Sequence, residues 1–360
     1  MAMMFYLLNA YYEIERIIDT YKSAIWTERY EKSGDFELFL PATADLIDAF
    51  ELVQNPNELY ICRADDTTKV GIVERVEITT DVEQGNFIIV SGRTMQSILF
   101  RRIVILQTTY TGSPKQIIEK LIINNFTNPT SNDRKVNVLT LGTSPAISTD
   151  SLIVSAQYDG DNVGEEIEKL CNNYHIGYKI AFDIENKNFT FSIYEGTDRS
   201  TDQNENPFVI FSNDFNNLLS SSFAVDRANK KTLAWVFGEG EGTKRVKYPA
   251  QSQLGTGLYR FELKVNDIQS STNGGEITSE TYENALWLSG INALKEHRTK
   301  ISTEGNVAPN YGFVLNRDYF LGDVVTVKNE YGIETTPRVV EVIEAQDDTG
   351  YSCIPTFRND

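Results

Sequence analysis

The side chains that most often carry catalysis or bind metals are scarce in this chain of 360 residues, which has two histidines and three cysteines. His175 and His297 each fall near the end of a predicted helix, where an imidazole ring can face the negative end of the helix dipole. Cys62, Cys171 and Cys353 lie far apart and fit no metal-binding spacing. We therefore expect no catalytic residue, no metal and no cofactor.

Two short segments are similar to ligand-binding loops but lack the residues that such loops require. Glycines alternate in the first, yet Glu239 and Glu241 fill the gaps and would repel a phosphate. Asp159 begins a sequence like a calcium loop, but its twelfth position is Leu170 rather than glutamate. We interpret the first segment as an acidic hairpin loop and Asp161 as the cap of a helix.

The composition is that of a folded, acidic protein. Lysine and arginine number 33 against 51 acidic residues, which gives a formal net charge of −18 and a sequence pI near 4.6. Hydrophobic residues make up 41% and aromatic residues 11%, too many for a disordered chain. This charge argues against unaided binding to a nucleic-acid backbone, but it suits a surface that lets DNA pass without holding it.

Length and local patterns restrict the organisation and the compartment. At roughly 100–200 residues per domain, the chain is long enough for about two to four domains. The apolar N-terminal segment lacks the basic flank of a signal peptide, and no run approaches the ~18 apolar residues of a membrane helix. The cysteine usage is typical of a protein made in a reducing cytoplasm.

The N-terminal region has the pattern of antiparallel strands. Residues 35–40 alternate between apolar and other side chains, and Pro41 ends the strand because it has no N–H to donate. Segments 70–78 and 87–93 predict a long hairpin. Because residues 87–90 are apolar on both faces, we expect another layer of this chain or a neighbouring subunit to cover the second face.

The next region, residues 106–200, has the pattern of a compact α+β unit. Ser113, with a proline after it and Gln116, predicts a capped helix start. A second helix is predicted over 161–175, with Gly177 as its C-terminal stop. A hairpin of alternating residues follows it.

Strand patterns return after residue 200, interrupted by one helix predicted from Thr278 to about Arg298. The final hairpin is similar to the earlier one around Gly85, because each has an acidic turn ending in glycine and an apolar return strand. This is a weak internal repeat. The predicted fold class is therefore mainly β with an α+β insertion.

Motifs in a fixed order along nearly the whole chain resemble a known family. They are Trp26-x-x-Arg29-Tyr30-x-x-x-Gly34-Asp35-Phe36-Glu37-Leu38-x-x-Pro41, the hairpin Gly71–Glu74 to Val90–Arg93 with Leu99 and Arg101-Arg102 after it, and the ending Asp318–Val325 through Pro355–Phe357. Each motif is loose, but their order and spacing together resemble the siphophage tail-associated hub family. That family is related to the baseplate hubs of contractile tails and to the hub part of type VI secretion spikes.

The resemblance implies a trimeric hub at the distal end of a phage tail, which adapts a sixfold tail tube to a threefold tip and lines the channel for DNA or an effector. It implies two tube-like β-barrels, one at residues 1–105 and one at 201–275 with 305–360. An α+β domain at 106–200 and a helical segment at 276–304 would complete the chain. Many such hubs continue into a peptidoglycan-cleaving domain, whereas this sequence ends after its last predicted strand, so we expect a structural, non-enzymatic role.

The resemblance also implies partners and a location. We expect a homotrimer, with a distal tail or tail-tube protein above it and a spike, fibre or lysin protein below it. DNA would pass through without specific binding, and no part would insert into a membrane. The expected location is the tail tip or baseplate of the virion, after assembly in the bacterial cytoplasm.

Two other functions fit parts of the sequence. An acidic cell-wall or polysaccharide hydrolase could use a carboxylate pair of the α+β unit as acid and base. A carbohydrate-binding receptor protein could stack exposed tyrosine and tryptophan rings on sugars. Trp26 and Trp235 lie within strand patterns, however, which favours a core or interface role for both.

Three acidic loops are candidates for contacts with the channel or within a ring. Taken one at a time, each also has the composition of an ordinary solvated hairpin turn. The candidate residues are Asp81, Glu83, Glu239, Glu241, Asp347 and Asp348.

Overall fold

A single large sheet joins the two ends of the chain. The computed structural model describes residues 3–50, 58–81, 85–251, 255–267, 271–275, 277–308 and 312–359. Most of its regular elements are strands, with a few helices, which confirms the predicted fold class.

The described part of the N-terminal region contains seven strands and one short helix. The alternation at residues 35–40 gives a strand with Phe36, Leu38 and Leu40 buried on one face, as predicted. The elements are β1 (Phe5–Leu8), β2 (Ile14–Ile18), β3 (Ser23–Arg29), β4 (Asp35–Pro41), α1 (Ala44–Ala49), β5 (Tyr60–Arg63), β6 (Val70–Asp81) and β7 (Gly85–Thr94).

The middle region contains five strands and two helices. The capping box predicted at Ser113 is present: its side chain accepts from the Gln116 N–H, and the Gln116 side chain accepts from the Ser113 N–H. The elements are β8 (Thr108–Gly112), α2 (Pro114–Ile122), β9 (Leu139–Leu141), β10 (Val154–Tyr158), α3 (Val163–Tyr174), β11 (Gly177–Asp183) and β12 (Asn188–Tyr194).

Two predictions about the ends of α3 were wrong by one or two residues. The cap is Asn162, whose side chain accepts from the N–H groups of Gly164 and Glu165, while Asp161 accepts from the N–H of Asp159. At the other end His175 takes the left-handed conformation, with φ of 53°. Gly177 is therefore already the first residue of β11, and the helix needs no glycine to end.

Ten strands and one long helix lie in the described residues of the C-terminal region. Thr278 caps that helix by accepting from the N–H of Thr281, as its position in the sequence predicts. The elements are β13 (Ile210–Ser212), β14 (Leu218–Asp226), β15 (Leu233–Phe237), β16 (Lys247–Gln251), β17 (Glu262–Asn266), α4 (Ser279–Glu296), β18 (Lys300–Val307), β19 (Thr326–Lys328), β20 (Glu334–Thr335), β21 (Arg338–Asp347) and β22 (Gly350–Arg358).

The large sheet has eleven strands in the order β14-β18-β22-β21-β3-β4-β7-β6-β5-β1-β2. The N-terminal and C-terminal regions meet where β21 pairs with β3, from Glu341 opposite Arg29 to Asp347 opposite Ser23. Eight consecutive strands, from β14 to β6, form one antiparallel run. We call this the eight-strand run.

Separate hydrophobic cores support the different parts of the chain. One core fills the N-terminal strands around Trp26, which is fully buried, and this confirms the core role predicted for that residue. A second core joins the middle region to β5 and β6. A third lies beneath β21 and β22 around Phe211 and Phe357.

Helix α4 belongs to a small unit that the sequence did not predict as such. It packs on the three-stranded sheet β16-β15-β17, with Leu286 and Leu294 buried against Val236 and Ala234. This sheet is separate from the eleven-stranded one. Trp235 is only half-buried there, and its Nε1 donates to Glu262.

Candidate assembly interface

Strand β6 pairs along most of its length with β7 on one side, but only at its start with β5 on the other side. Its residues from Gly71 to Asp81 pair with β7, whereas β5 pairs only with Val70–Ile72. Within the described chain, the stretch from Glu74 to Asp81 therefore has an open backbone edge. Exposed edges of this length attract further strands.

Strand β14 forms the edge at the other end of the eight-strand run. It pairs with β18 through residues Leu218 to Asp226, and no described strand pairs with its other side. The strand carries no charge before Asp226, and Leu219 is 62% exposed. An edge with eight consecutive uncharged residues, Leu218–Val225, lacks the charges that normally prevent strand pairing.

The third open edge, β2, is short and better protected. It has five residues, and Glu13 and Glu15 lie at its start. Arg16 forms an ion pair with Asp45 at 3.1 Å. Short, charged edge strands resist pairing with other chains. The open stretch of β6 also carries charges, at Glu74, Arg75 and Glu77, but it is longer than β2. The uncharged stretch of β14 is therefore the strongest candidate for a contact between copies, and β6 is the second.

The second face of the eight-strand run is partly apolar. Ile88 and Val90 point into the core, while Phe87 and Ile89 are half-buried on the opposite face. Phe87 stacks on Phe39 with ring centroids 4.5 Å apart. The apolar character expected for both faces of this strand is therefore present, and its second face keeps partial access to solvent.

A buried group of charges fastens the N-terminal strands to the C-terminal ones. Arg63 of β5 forms ion pairs with Glu344 of β21 and with Asp65, and Lys69 lies 2.6 Å from Glu28 and 3.9 Å from Glu344. Tyr351 also donates to Glu344 at 2.8 Å. Arg63 and Glu344 are 3% and 5% exposed. Either charge, buried without an oppositely charged partner, would strongly destabilise the fold. We call these charges the buried ion cluster.

The pKa values of the cluster follow from this pairing. Burial alone would raise the pKa of Glu344, but the charges of Arg63 and Lys69 outweigh it and lower the pKa below its usual value. Burial would lower the pKa of Arg63, but Asp65 and Glu344 raise it overall. Both groups therefore remain charged at neutral pH.

Two of the three acidic loops lie at the same end of the sheet. Neighbouring strands of the run are antiparallel, so the end of β6 at Asp81 and the β21–β22 turn at Asp347 and Asp348 lie at the same end of the sheet. Asp347 accepts from the N–H and hydroxyl of Thr349, which lowers its pKa. Glu83 lies outside the described residues. We call this the acidic turn end.

The third acidic loop lies elsewhere. Glu239 and Glu241 belong to the connection between β15 and β16, in the small unit of α4. Glu239 accepts from the N–H and hydroxyl of Thr272 at 3.1 and 2.8 Å, whereas Glu241 is exposed. The structure therefore groups Asp81 with Asp347 and Asp348 and separates them from Glu239 and Glu241.

Neither histidine nor cysteine forms a chemical centre among the described residues. His175 and His297 cap the C-termini of α3 and α4, the positions expected from the sequence. Cys62, Cys171 and Cys353 are buried free thiols, and burial raises the pKa of each. The described residues contain no group of His, Cys, Asp and Glu side chains that could hold a metal, and no helix long and apolar enough to cross a membrane.

The fold of the chain is similar to those of three solved phage tail proteins. The chain is similar to the tail protein from Neisseria meningitidis MC58, with 12% identity, 100% of this chain and 97% of that chain covered, and a TM-score of 0.58. It is also similar to the 43 kDa tail protein of prophage MuSo2 from Shewanella oneidensis. That match has 13% identity, covers 98% of this chain and 98% of that chain, and has a TM-score of 0.57. The match to prophage tail protein gp18 from Listeria monocytogenes EGD-e has 13% identity, covers 99% of this chain and 94% of that chain, and has a TM-score of 0.55. At these identities the likeness shows the fold, which is that of β-rich phage tail proteins.

The sequence itself identifies the family. The family model described as Siphovirus ReqiPepy6 Gp37-like protein matches residues 4–357, and the chain belongs to this family. This confirms the siphophage tail family inferred from the order of the motifs. The chain is a phage tail-like structural protein, and its family implies association with the virion. The comparison with curated proteins gave no match.

Proposed function

We propose that the chain is a non-enzymatic tail-tip hub that assembles as a homotrimeric ring and lines the channel for DNA or an effector. The observation that carries the proposal is the pair of open strand edges, β6 and β14, at the two ends of the eight-strand run. The β6 edge of one copy can pair with the β14 edge of the next copy. Such a head-to-tail contact closes into a ring when the rotation between copies permits it.

The size of the run supports a channel rather than a filled barrel. Three copies would contribute about 24 strands, and barrels of 16–18 strands already leave an aqueous channel. Each copy would supply two similar halves, residues 1–105 and 201–275 with 305–360, which fits a ring that adapts sixfold to threefold symmetry. The α+β region at 106–200, the separate sheet β16-β15-β17 and the helical segment at 276–304, as far as the start of β18 at Lys300, would lie outside the ring wall.

The proposal includes partners and a place in the virion. A distal tail or tail-tube protein would bind one end of the ring, and a spike, fibre or lysin protein the other. The acidic turn end would face the channel or a ring contact, where negative charge weakens the binding of passing DNA. Assembly would take place in the bacterial cytoplasm.

The experiment tests the open edge directly. The purified chain is expected to give three times its 40.7 kDa mass by light scattering and a ring with a central hole by electron microscopy. Ser222→Lys with Ala224→Lys places two charges on exposed β14 positions and is expected to give monomers. The matched control, Ala146→Lys with Ser151→Lys, adds the same charge to an exposed segment of the middle region and should leave the ring intact.

Two results would overturn the proposal. One is a monodisperse wild-type monomer that forms no ring even with its tail partners. The other is a β14 variant that assembles as the control does, since the open edge would then not be the contact.

A further inference from the structure

A cavity of about 590 Å³ lies at the end of the sheet opposite the acidic turns. The last turns of α3 and α4, the first residues of β18 and the end of β22 enclose it. Its lining includes both histidines of the chain, His175 and His297. We call it the basic cavity.

The charge of this cavity is opposite to that of the whole protein. Lys295, Arg298, Lys300 and Arg358 line it, against the single carboxylate of Glu296. Arg358 donates to the buried Glu31 at 2.6 Å and is thereby balanced. No carboxylate of the described residues forms an ion pair with any of the other three cations. These three are all exposed, in a chain whose net charge is −18.

A second basic segment borders the cavity. The loop from Asp226 to Lys231 contains three further cations, and its Asn229 lines the cavity. The N–H of Lys231 donates to the carbonyl of His297 at 2.7 Å, which fixes this loop on the end of α4. Together, residues 226–231 and 295–300 carry six lysines and arginines and two acidic residues.

Helix dipoles explain only part of this concentration. The C-termini of α3 and α4 both meet the cavity, and each carries about half a negative charge. Their sum of about one charge is smaller than the excess of four cations over acids in the two segments. The helix dipoles therefore balance only a small part of the excess positive charge in these two segments.

The contacts of Lys295 show how closely the cations are placed. Its Nζ donates to the carbonyl of Asn173 at 3.0 Å and lies 4.9 Å from the ring centre of Tyr174. Although the side chain as a whole is exposed, partial desolvation of its ammonium group and the charge of Arg298 both lower the pKa of Lys295. A bound anion would relieve this repulsion.

We propose that the basic cavity is a binding site for a phosphate-class polyanion, either a free polyphosphate or the phosphodiester backbone of a single strand. The lysines and arginines that face the cavity offer hydrogen-bond donors and no acceptor, as phosphate oxygens require. Several separate cations fit a ligand with several charges better than a single carboxylate. The cavity also has room for more than one phosphate group.

The first measurement is calorimetric titration of the full chain with sodium tripolyphosphate in low salt. Binding is expected to be at least about tenfold weaker in Lys295→Gln with Arg298→Gln and Lys300→Gln, because three phosphate partners are lost. Glutamine keeps part of the side-chain length. The control triple variant, Lys135→Gln with Lys179→Gln and Lys244→Gln, removes the same charge from exposed sites elsewhere and should bind like the wild type.

A second measurement separates the two sources of the ligand. A fluorescent single-stranded oligonucleotide that binds at the cavity identifies a phosphodiester site. The slope of its log binding constant against log salt concentration should be about 2 units shallower in the triple variant than in the wild type. Binding of tripolyphosphate alone identifies a free polyphosphate site. A polyglutamate peptide that binds as tightly as either would overturn the assignment to phosphate.

Other outcomes would also overturn the proposal. They are the absence of tripolyphosphate binding to the wild type, and equal binding by the triple variant and the wild type. The single variant Arg298→Glu gives the same test should the triple variant fail to fold. Because one chain forms the whole cavity, the result does not depend on whether the ring of the proposed function assembles.

Discussion

The two ends of the eight-strand run differ in charge and in construction. At the acidic turn end, the carboxylates of Asp347 and Asp348 are exposed, and Asp347 accepts two hydrogen bonds within its own turn. The opposite end is a cavity in which helix ends and strand ends from distant parts of the chain bring cations together. A tube wall with this polarity presents a different surface at each end, so it can bind a different partner at each.

Both ends of the run belong to one sheet because β21 pairs with β3, and the buried ion cluster has members on both of these strands. Glu344→Ala would leave the buried Arg63 with one carboxylate partner, Asp65, instead of two. We expect the free energy of unfolding to fall by about 3 kcal/mol, the lower end of the cost of breaking a buried ion pair. Urea denaturation measures it. The control is Glu77→Ala, which removes an exposed ion pair with Arg75 and is expected to cost at most about 1 kcal/mol. Similar losses in the two variants would mean that the cluster does not hold the halves together.

Acid should act on the two ends differently. Burial would raise the pKa of Glu31, but His175 and Arg358 lower it overall, so its contribution to stability is complete above its unfolded pKa of about 4.5. This contribution is lost as the pH falls through the folded pKa. We expect Glu31→Gln to reduce the loss of unfolding free energy between neutral pH and pH ~3.

The matching variant at the acidic turn end is Asp347→Asn. The pKa of Asp347 is also lowered, by Thr349, but the group is fully exposed. The unfolding free energy of Asp347→Asn should therefore change with pH almost as that of the wild type does. Chemical denaturation at several pH values compares the two variants, and equal slopes for Glu31→Gln and the wild type would contradict the prediction.

The smallest change in stability is expected at the acidic turns themselves. Asp347→Lys with Asp348→Lys alters only surface charge and should leave the free energy of unfolding close to that of the wild type. The same variant should slow DNA ejection and strengthen DNA binding in low salt, because the channel surface loses its repulsion.

The third loop supplies the control for this experiment. Glu239→Lys with Glu241→Lys makes the same charge change in the small unit of α4, away from the end of the run. Ring assembly and DNA ejection are expected to remain unchanged in this variant. Equal effects of the two pairs, or no effect of either, would remove the acidic turn end from the channel.

Local patterns in the sequence predicted most of the individual elements. The hairpins around Gly85 and at the chain end, the capping box at Ser113 and the helix after Thr278 all appear where expected. These features depend on residues that are close in sequence, so their signals are local. The errors at the ends of α3 were also local, because aspartate and asparagine are equally good caps and a histidine can take the left-handed conformation.

Groupings of distant residues could not be predicted in the same way. The pairing of Arg63 with Glu344 joins strands from opposite ends of the chain, and neither residue stands out among the many charged ones. Lys295 and Arg358 likewise meet only at the cavity. Composition gave the total charge but no information on where along the sheet each sign would lie.

By itself, the sequence determined the fold class, the absence of a recognisable catalytic motif and the family, because these depend on local periodicity and on the order of motifs along the chain. Only the tertiary structure decided that β3 and β21 meet, which strand edges stay open and that acidic turns and a basic cavity lie at opposite ends of one sheet. The physical reason is that strand order depends on packing between residues hundreds of positions apart, and the alternation within a strand does not encode its neighbours.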